Sequence, residues 1–93
     1  QIPVDPTTKA VPEDIASQAR QSLENVKAVV EAGGSSMARV VKTTVFLADM
    51  GDFAAVNQVY SSYFAEPFPA RSCVQVAALP LGVRVEIEAI AEL

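Results

Sequence analysis

The sequence predicts an α+β fold with two helices laid on one face of a small sheet. Three observations carry this. Apolar residues recur at helical spacing in two separate segments. A β-branched run, Val40 to Leu47, lies between those segments. Two strand-like stretches flank a Pro-Gly turn near the C-terminus. The order helix, strand, helix, strand, strand suits helices layered on a sheet.

Each element follows from its residues. Pro3, Pro6 and Pro12 make the first twelve residues extended chain and turn, with Asp5-Pro6-Thr7-Thr8 as turn chemistry. Pro12-Glu13-Asp14 opens the first helix, where proline is tolerated and acidic groups complement the helix dipole. Ile15, Ala19, Leu23, Val26 and Val30 form its apolar stripe, Arg20, Glu24, Lys27 and Glu31 its wet side, and Gly33-Gly34 its stop. Val40 to Leu47 is a strand. Asp49 or Asp52 caps a second helix whose stripe is Phe53, Val56, Tyr60, Tyr63 and Phe64, and Pro67 and Pro69 end it. Ala70 to Ala78 and Val83 to Leu93 are expected to pair as a hairpin across Leu79-Pro80-Leu81-Gly82.

Composition narrows the function classes. At 93 residues the chain is one domain in length, and a chain this short buries only about 60–65% of its unfolded surface. One cysteine rules out an internal disulfide, and one cysteine with no histidine disfavours a zinc or iron site. Oligomerisation is the remaining common source of stability, and 51% hydrophobic residues agree with it. No apolar run approaches the ~18 residues that span a bilayer, so no membrane partner is expected. The net charge of −4, with scattered basic residues, argues against a nucleic-acid surface. A soluble protein of a reducing compartment is expected.

In a hairpin pairing Ala78 with Val83, Val76 faces Val85 and Val74 faces Ile87, and these pack under the helices. The opposite face then holds Arg71, Cys73 and Gln75 across from Glu86 and Glu88. That mixed face is either solvated or a subunit interface with a polar pocket, and the small core favours the interface. Arg71 offers a planar fork suited to a carboxylate, while an ion pair with Glu86 or Glu88 is its ordinary role. Glu86 could activate a water if burial raised its pKa. Cys73 has no histidine to serve as its base, which leaves it a small structural role. Asn57 sits in the second helix among apolar residues and needs a partner for its amide. Gly33-Gly34-Ser35-Ser36 follows a helix instead of preceding one and makes a poor phosphate cradle.

Several segments together resemble the Rid family, also called YjgF. They are Gln1-Ile-Pro-Val-Asp-Pro, Val41-Lys-Thr-Thr-Val-Phe-Leu-Ala-Asp49, Asp52-Phe-Ala-Ala-Val-Asn57, Pro69-Ala-Arg-Ser-Cys-Val74 and Val85-Glu-Ile-Glu-Ala-Ile90. The similarity covers nearly the whole chain and is greatest to the RidA branch. It implies a chorismate-mutase-like α+β fold, a mixed sheet with two helices packed on one face. It also implies a homotrimer with sites between subunits, and the reducing compartment expected from composition is the cytoplasm or another such as the mitochondrial matrix. The implied activity is hydrolysis of 2-aminoacrylate, 2-iminobutanoate and related enamines or imines to 2-keto acids and ammonia, with no metal or cofactor. By the same resemblance Arg71 binds the substrate carboxylate and Glu86 positions or activates water. Cys73 touches substrate through its backbone, and Asn57 lies on the site rim. Family members carry two further strands before the Gln-Ile-Pro segment, so residues 1–93 are expected to be a single domain shortened at its N-terminus. A non-catalytic 2-keto acid binding or sensing protein is the alternative. A ribonuclease or translation inhibitor is a second, and the acidic charge and lack of histidine speak against it.

Overall fold

A computed structural model describes residues 1–93. The elements are α1 (Ile15–Ala32), β1 (Val40–Leu47), α2 (Phe53–Tyr60), β2 (Ala70–Gln75) and β3 (Val85–Ala91), with short 3₁₀ turns before β1, before α2 and before β3. This is the expected α+β arrangement, and the three-stranded sheet is mixed.

Helix α1 starts where the sequence places it. Asp14 is its N-cap, with a side-chain oxygen accepting the Ser17 N–H at 2.9 Å. At the other end Gly33 caps the helix and Gly34 takes the left-handed conformation at φ +89°. The Gly34 N–H returns to the Glu31 carbonyl and the Ser35 N–H to the Val30 carbonyl, both at 3.0 Å. This is the paired-bond stop that a positive-φ glycine permits. Asp49 caps the 3₁₀ turn ahead of α2 by accepting the Gly51 N–H at 2.8 Å. Asp52 makes no cap and instead forms a two-pronged ion pair with Arg84, at 2.7 and 3.2 Å. Helix α2 ends at Tyr60, well short of Pro67.

The strand order differs from the expected hairpin. It is β2-β1-β3, with β1 in the centre, parallel to β2 and antiparallel to β3. Strands β2 and β3 never pair. The Pro80–Gly82 turn lies where expected, with Leu81 and Gly82 at positive φ, but it links the two outer strands around the end of β1. There the Val76 N–H meets the Leu47 carbonyl and the Ala48 N–H the Arg84 carbonyl. The reason is physical. A central strand satisfies both of its polar edges, and the buried, β-branched β1 suits that place better than the largely exposed β2.

The register reverses one face assignment. Thr43 pairs with Arg71 and Ala89, and Val45 with Cys73 and Ile87. These residues point toward the helices. Ser72, Thr44 and Glu88 share the open face, as do Val74, Phe46 and Glu86. Arg71, Cys73 and Gln75 therefore lie on the helix side, not beside Glu86 and Glu88, and Val74 is exposed instead of packed under the helices.

The core is small. Ala19, Leu23 and Val26 from α1 and Val56, Tyr60 and the following Phe64 close over Val40, Val45, Leu47, Val85 and Ile87. Residues before α1 add a partial edge to β3: Gln1 and Ile87 exchange backbone bonds at 2.6 and 3.0 Å. Asn25 of α1 donates to the Ile2 and Val4 carbonyls. No helix is long and apolar enough to cross a membrane.

The helix stop gives a direct test. A Cβ at Gly34 would meet open space, so only its backbone conformation resists substitution. Gly34→Ala should cost about 1 kcal/mol and lower Tm by roughly 4–8 °C. Gly33→Ala, at φ −79° with ordinary contacts, should lower it much less, as measured by thermal melting.

Candidate functional site

Arg71 stands on β2, an edge strand, and leans over α2. Its guanidinium carbon lies 4.8 Å from the centre of the Tyr60 ring and 5.4 Å from that of Phe53. Its Nη1 donates to Asn57 Oδ1. Phe53, Asn57 and Tyr60 share one face of α2 because they stand four and three residues apart. The partner that the Asn57 amide needed is this arginine.

No carboxylate pairs with Arg71. The chain's one ion pair is Arg84–Asp52, although the sequence holds 11 acidic residues. The ordinary expectation, an ion pair between Arg71 and Glu86 or Glu88, is therefore not met. Nε and Nη2 of Arg71 have no hydrogen-bond partner within the chain, and Arg71 lines a cleft of about 340 Å³. Asn57, Tyr60, Phe64, Phe68 and Pro69 form its walls. One cationic fork with free donors beside aromatic walls fits a small anion with an apolar tail.

Cys73 lies two residues along the same strand face, half-buried against the core. Burial pushes its thiol above the ordinary value, and the Arg71 charge only partly opposes this. The thiol is thus protonated near neutrality, which disfavours nucleophilic chemistry. Its backbone is placed otherwise. Since the Val76 N–H points to β1, strand alternation turns the Cys73 N–H to the open edge, where a ligand held by Arg71 could accept it.

Glu86 stands apart from this group. It lies on β3, on the opposite sheet face and two strands away, roughly 10 Å across the sheet. One chain cannot bring Arg71 and Glu86 to the same small molecule. No three of the acidic or cysteine side chains gather into a group that could hold a metal ion.

Sequence reasoning missed Tyr60, Phe64, Phe68 and Pro69 as cleft walls, having read the first two only as core stripe. One signal was present. Thr43 is the polar residue among the inward positions of β1, and its hydroxyl lies 2.6 Å from the Tyr60 hydroxyl. A buried Thr calls for a polar partner.

Comparison with known proteins supplies the context. The family model described as endoribonuclease L-PSP matches residues 1–93. The 2-iminobutanoate/2-iminopropanoate deaminase of Salmonella typhimurium is 63% identical over 98% of this chain and 73% of its own length. The protein of that name from Escherichia coli K12 is 61% identical over the same shares. Among solved structures, RidA from a Psychrobacter species superposes with a TM-score of 0.96 at 48% identity, covering all of this chain and 76% of the other. Escherichia coli TdcF with bound serine superposes at 0.93 and 55% identity, covering 98% of this chain and 74% of the other.

The thiol provides a check on this environment. A raised pKa means that the folded state keeps its proton. The associated stability is present below the ordinary thiol pKa and lost as pH rises through the folded value. Iodoacetamide should alkylate Cys73 more slowly at pH 8.5 in the folded protein than in the urea-unfolded chain, as followed by mass spectrometry.

Proposed function

This chain belongs to the Rid/YjgF family, the family of the endoribonuclease L-PSP model, and on that premise we propose that it hydrolyses small 2-imino acids and their enamine tautomers to 2-keto acids and ammonia. The observation that carries the reading is Arg71, a cation with free donors at a cleft and no carboxylate partner. The deaminase relatives at 61% and 63% identity support it, as does the serine bound to TdcF, a molecule of similar size carrying a carboxylate.

The chemistry follows from the groups present. Nε and Nη2 of Arg71 grip the substrate carboxylate as a planar fork, which holds the adjacent C=N carbon in place. Water adds to that carbon, its proton passes to nitrogen, and the carbinolamine expels ammonia to leave the 2-keto acid. Glu86 is the proposed proton carrier for the water. Because Glu86 lies across the sheet from Arg71 of its own chain, it reaches the substrate from another copy. We therefore place the site between subunits of a homotrimer joined through the open sheet face, where Phe46, Val74 and Ile90 stand among Lys42, Glu86 and Glu88. The Cys73 N–H contributes to carboxylate binding and Asn57 holds the rim. A reducing compartment such as the cytoplasm suits the free thiol. The endoribonuclease label of the family model finds little support here, given a net charge of −4 and no histidine.

Arg71→Ala should abolish imine hydrolysis and weaken 2-oxobutanoate binding by roughly 10- to 150-fold, the worth of hydrogen bonds to a charged group. It should leave the melting temperature nearly unchanged. Wild-type rates in this variant, with imine generated by a dehydratase, would exclude the proposed anchor. Glu86→Gln should slow hydrolysis yet keep keto-acid affinity. Mixed oligomers of the two inactive variants should regain part of the activity, because some sites then join an intact Arg71 to an intact Glu86. Mixtures as inactive as their components would remove the shared site.

A further inference from the structure

The arginine on which this reading rests has an unusual need. It is a long, flexible side chain on an exposed edge strand, and nothing on its own strand holds it. Free in water it would spread over many rotamers, and carboxylate binding would have to offset that entropy. The structure supplies a support from another direction. Tyr60 is 7% exposed and presents one ring face to the Arg71 guanidinium. The other end of the ring is tied down, with its hydroxyl 2.6 Å from the hydroxyl of Thr43, which is 1% exposed. Thr43 is in turn the register partner of Arg71 across β1 and β2. The Phe64 ring, 4.7 Å away, leans on the Tyr60 ring.

Folding alone does not call for this polar pair. A valine on β1 facing a phenylalanine on α2 would fill the same space, and replacing both partners of a buried hydrogen bond by apolar groups is close to neutral. What the hydroxyl pair does fix is the rotation and height of the Tyr60 ring. A guanidinium over a fixed aromatic face is attracted by the ring's negative centre. Its Nη1 is taken up by Asn57 Oδ1, which leaves Nε and Nη2 without a partner in the chain.

We propose that Tyr60, anchored by Thr43, is the positioning residue for Arg71. It holds the guanidinium flat so that Nε and Nη2 present a ready-made fork to the substrate carboxylate. This rests on the assignment of Arg71 as that anchor. Tyr60 itself touches no reacting atom. Its effect should therefore fall on ground-state binding of any 2-oxo or 2-imino acid and not on the hydrolytic step.

Two measurements test it. The first compares Tyr60→Leu with Tyr60→Phe and Thr43→Val, each checked for native particle mass and melting temperature. With 2-oxobutanoate as probe in calorimetry, Tyr60→Leu should bind about tenfold more weakly. Its KM should rise in proportion while kcat changes by less than about threefold. Tyr60→Phe and Thr43→Val, which keep the ring face but lose the hydroxyl pair, should both fall between the wild type and Tyr60→Leu. A folded Tyr60→Leu protein that binds the keto acid as the wild type does, or that loses kcat at constant KM, overturns the proposal. The second measurement needs no variant at position 60. In proton–nitrogen spectra of the wild type, the Arg71 Nε–H proton, assigned through Arg71→Lys, should be shifted upfield by the ring current relative to Arg20, Arg39 and Arg84. A resonance among theirs also overturns the proposal, even if Tyr60→Leu fails to fold. A wild type that neither binds 2-oxobutanoate nor hydrolyses imines would sink the functional reading, while the spectrum still decides whether Tyr60 holds Arg71.

Discussion

The parallel pairing of β1 with β2 is the constraint on which the rest of the structure depends. Two parallel strands cannot be joined by a tight turn, so the chain must cross over between them, and here the crossover carries α2. That helix is thereby brought within reach of the Arg71 side chain. One pairing thus brings Asn57 and Tyr60 under the guanidinium, places Thr43 beside Tyr60, and buries Val56 and Phe64 in the core. Antiparallel pairing of β2 with β3 would have left α2 without a strand to cover and Arg71 beside two carboxylates.

That pairing is also the point at which the sequence was hardest to read. Both helices, their stops, the strand Val40–Leu47 and the turn at Pro80–Gly82 follow from local chemistry, since caps, glycines and periodic spacing act over a few residues. Strand alternation gives parity within one strand, but it says nothing about which strand lies alongside. Proximity in sequence favoured a hairpin, and one wrong partner moved Arg71, Cys73 and Gln75 to the wrong face together. Glu86 and Glu88 were assigned correctly to the open face because they alternate with Val85 and Ile87, whose apolar side chains belong to the core whichever strand lies alongside. The family resemblance singled out Arg71, Cys73, Asn57 and Glu86, and the chain brings the first three to one side of the sheet while Glu86 lies on the other. The support beneath the arginine stayed hidden, because an aromatic stripe at helical spacing looks the same whether it only packs or also carries a cation.

The site's electrostatics are set as much by what is absent as by what is present. Arg71 has no carboxylate partner and lines a cleft, so its positive charge is available to a ligand. Asp52, the acidic residue nearest the start of α2, is occupied by Arg84, and Glu24 accepts the Tyr63 hydroxyl at 2.6 Å. Burial, together with this contact, pushes that phenol up to about 12. Asp52 and Glu24 are thus committed to partners other than Arg71.

The Arg84–Asp52 fork belongs to a wider clamp. Gln18 spans from the Arg84 N–H to the Pro12 carbonyl, and Gln75 accepts the Met50 N–H. All of these ties lie at the end of the sheet where β1 finishes. The opposite end, where Ala65 to Phe68 bridge from α2 to β2, is exposed, and Phe68 shows 64% of its surface. The end where β1 begins has fewer such ties, among them the Glu92 N–H to the Arg39 carbonyl and the Ser35 hydroxyl to the Glu92 carbonyl. Segments with little buried surface open locally at low cost while the core stays closed. The cleft beside Arg71 is walled in part by Phe68 of this exposed segment and in part by Tyr60 and Phe64 of the core, so local opening there would leave the arginine's aromatic support in place.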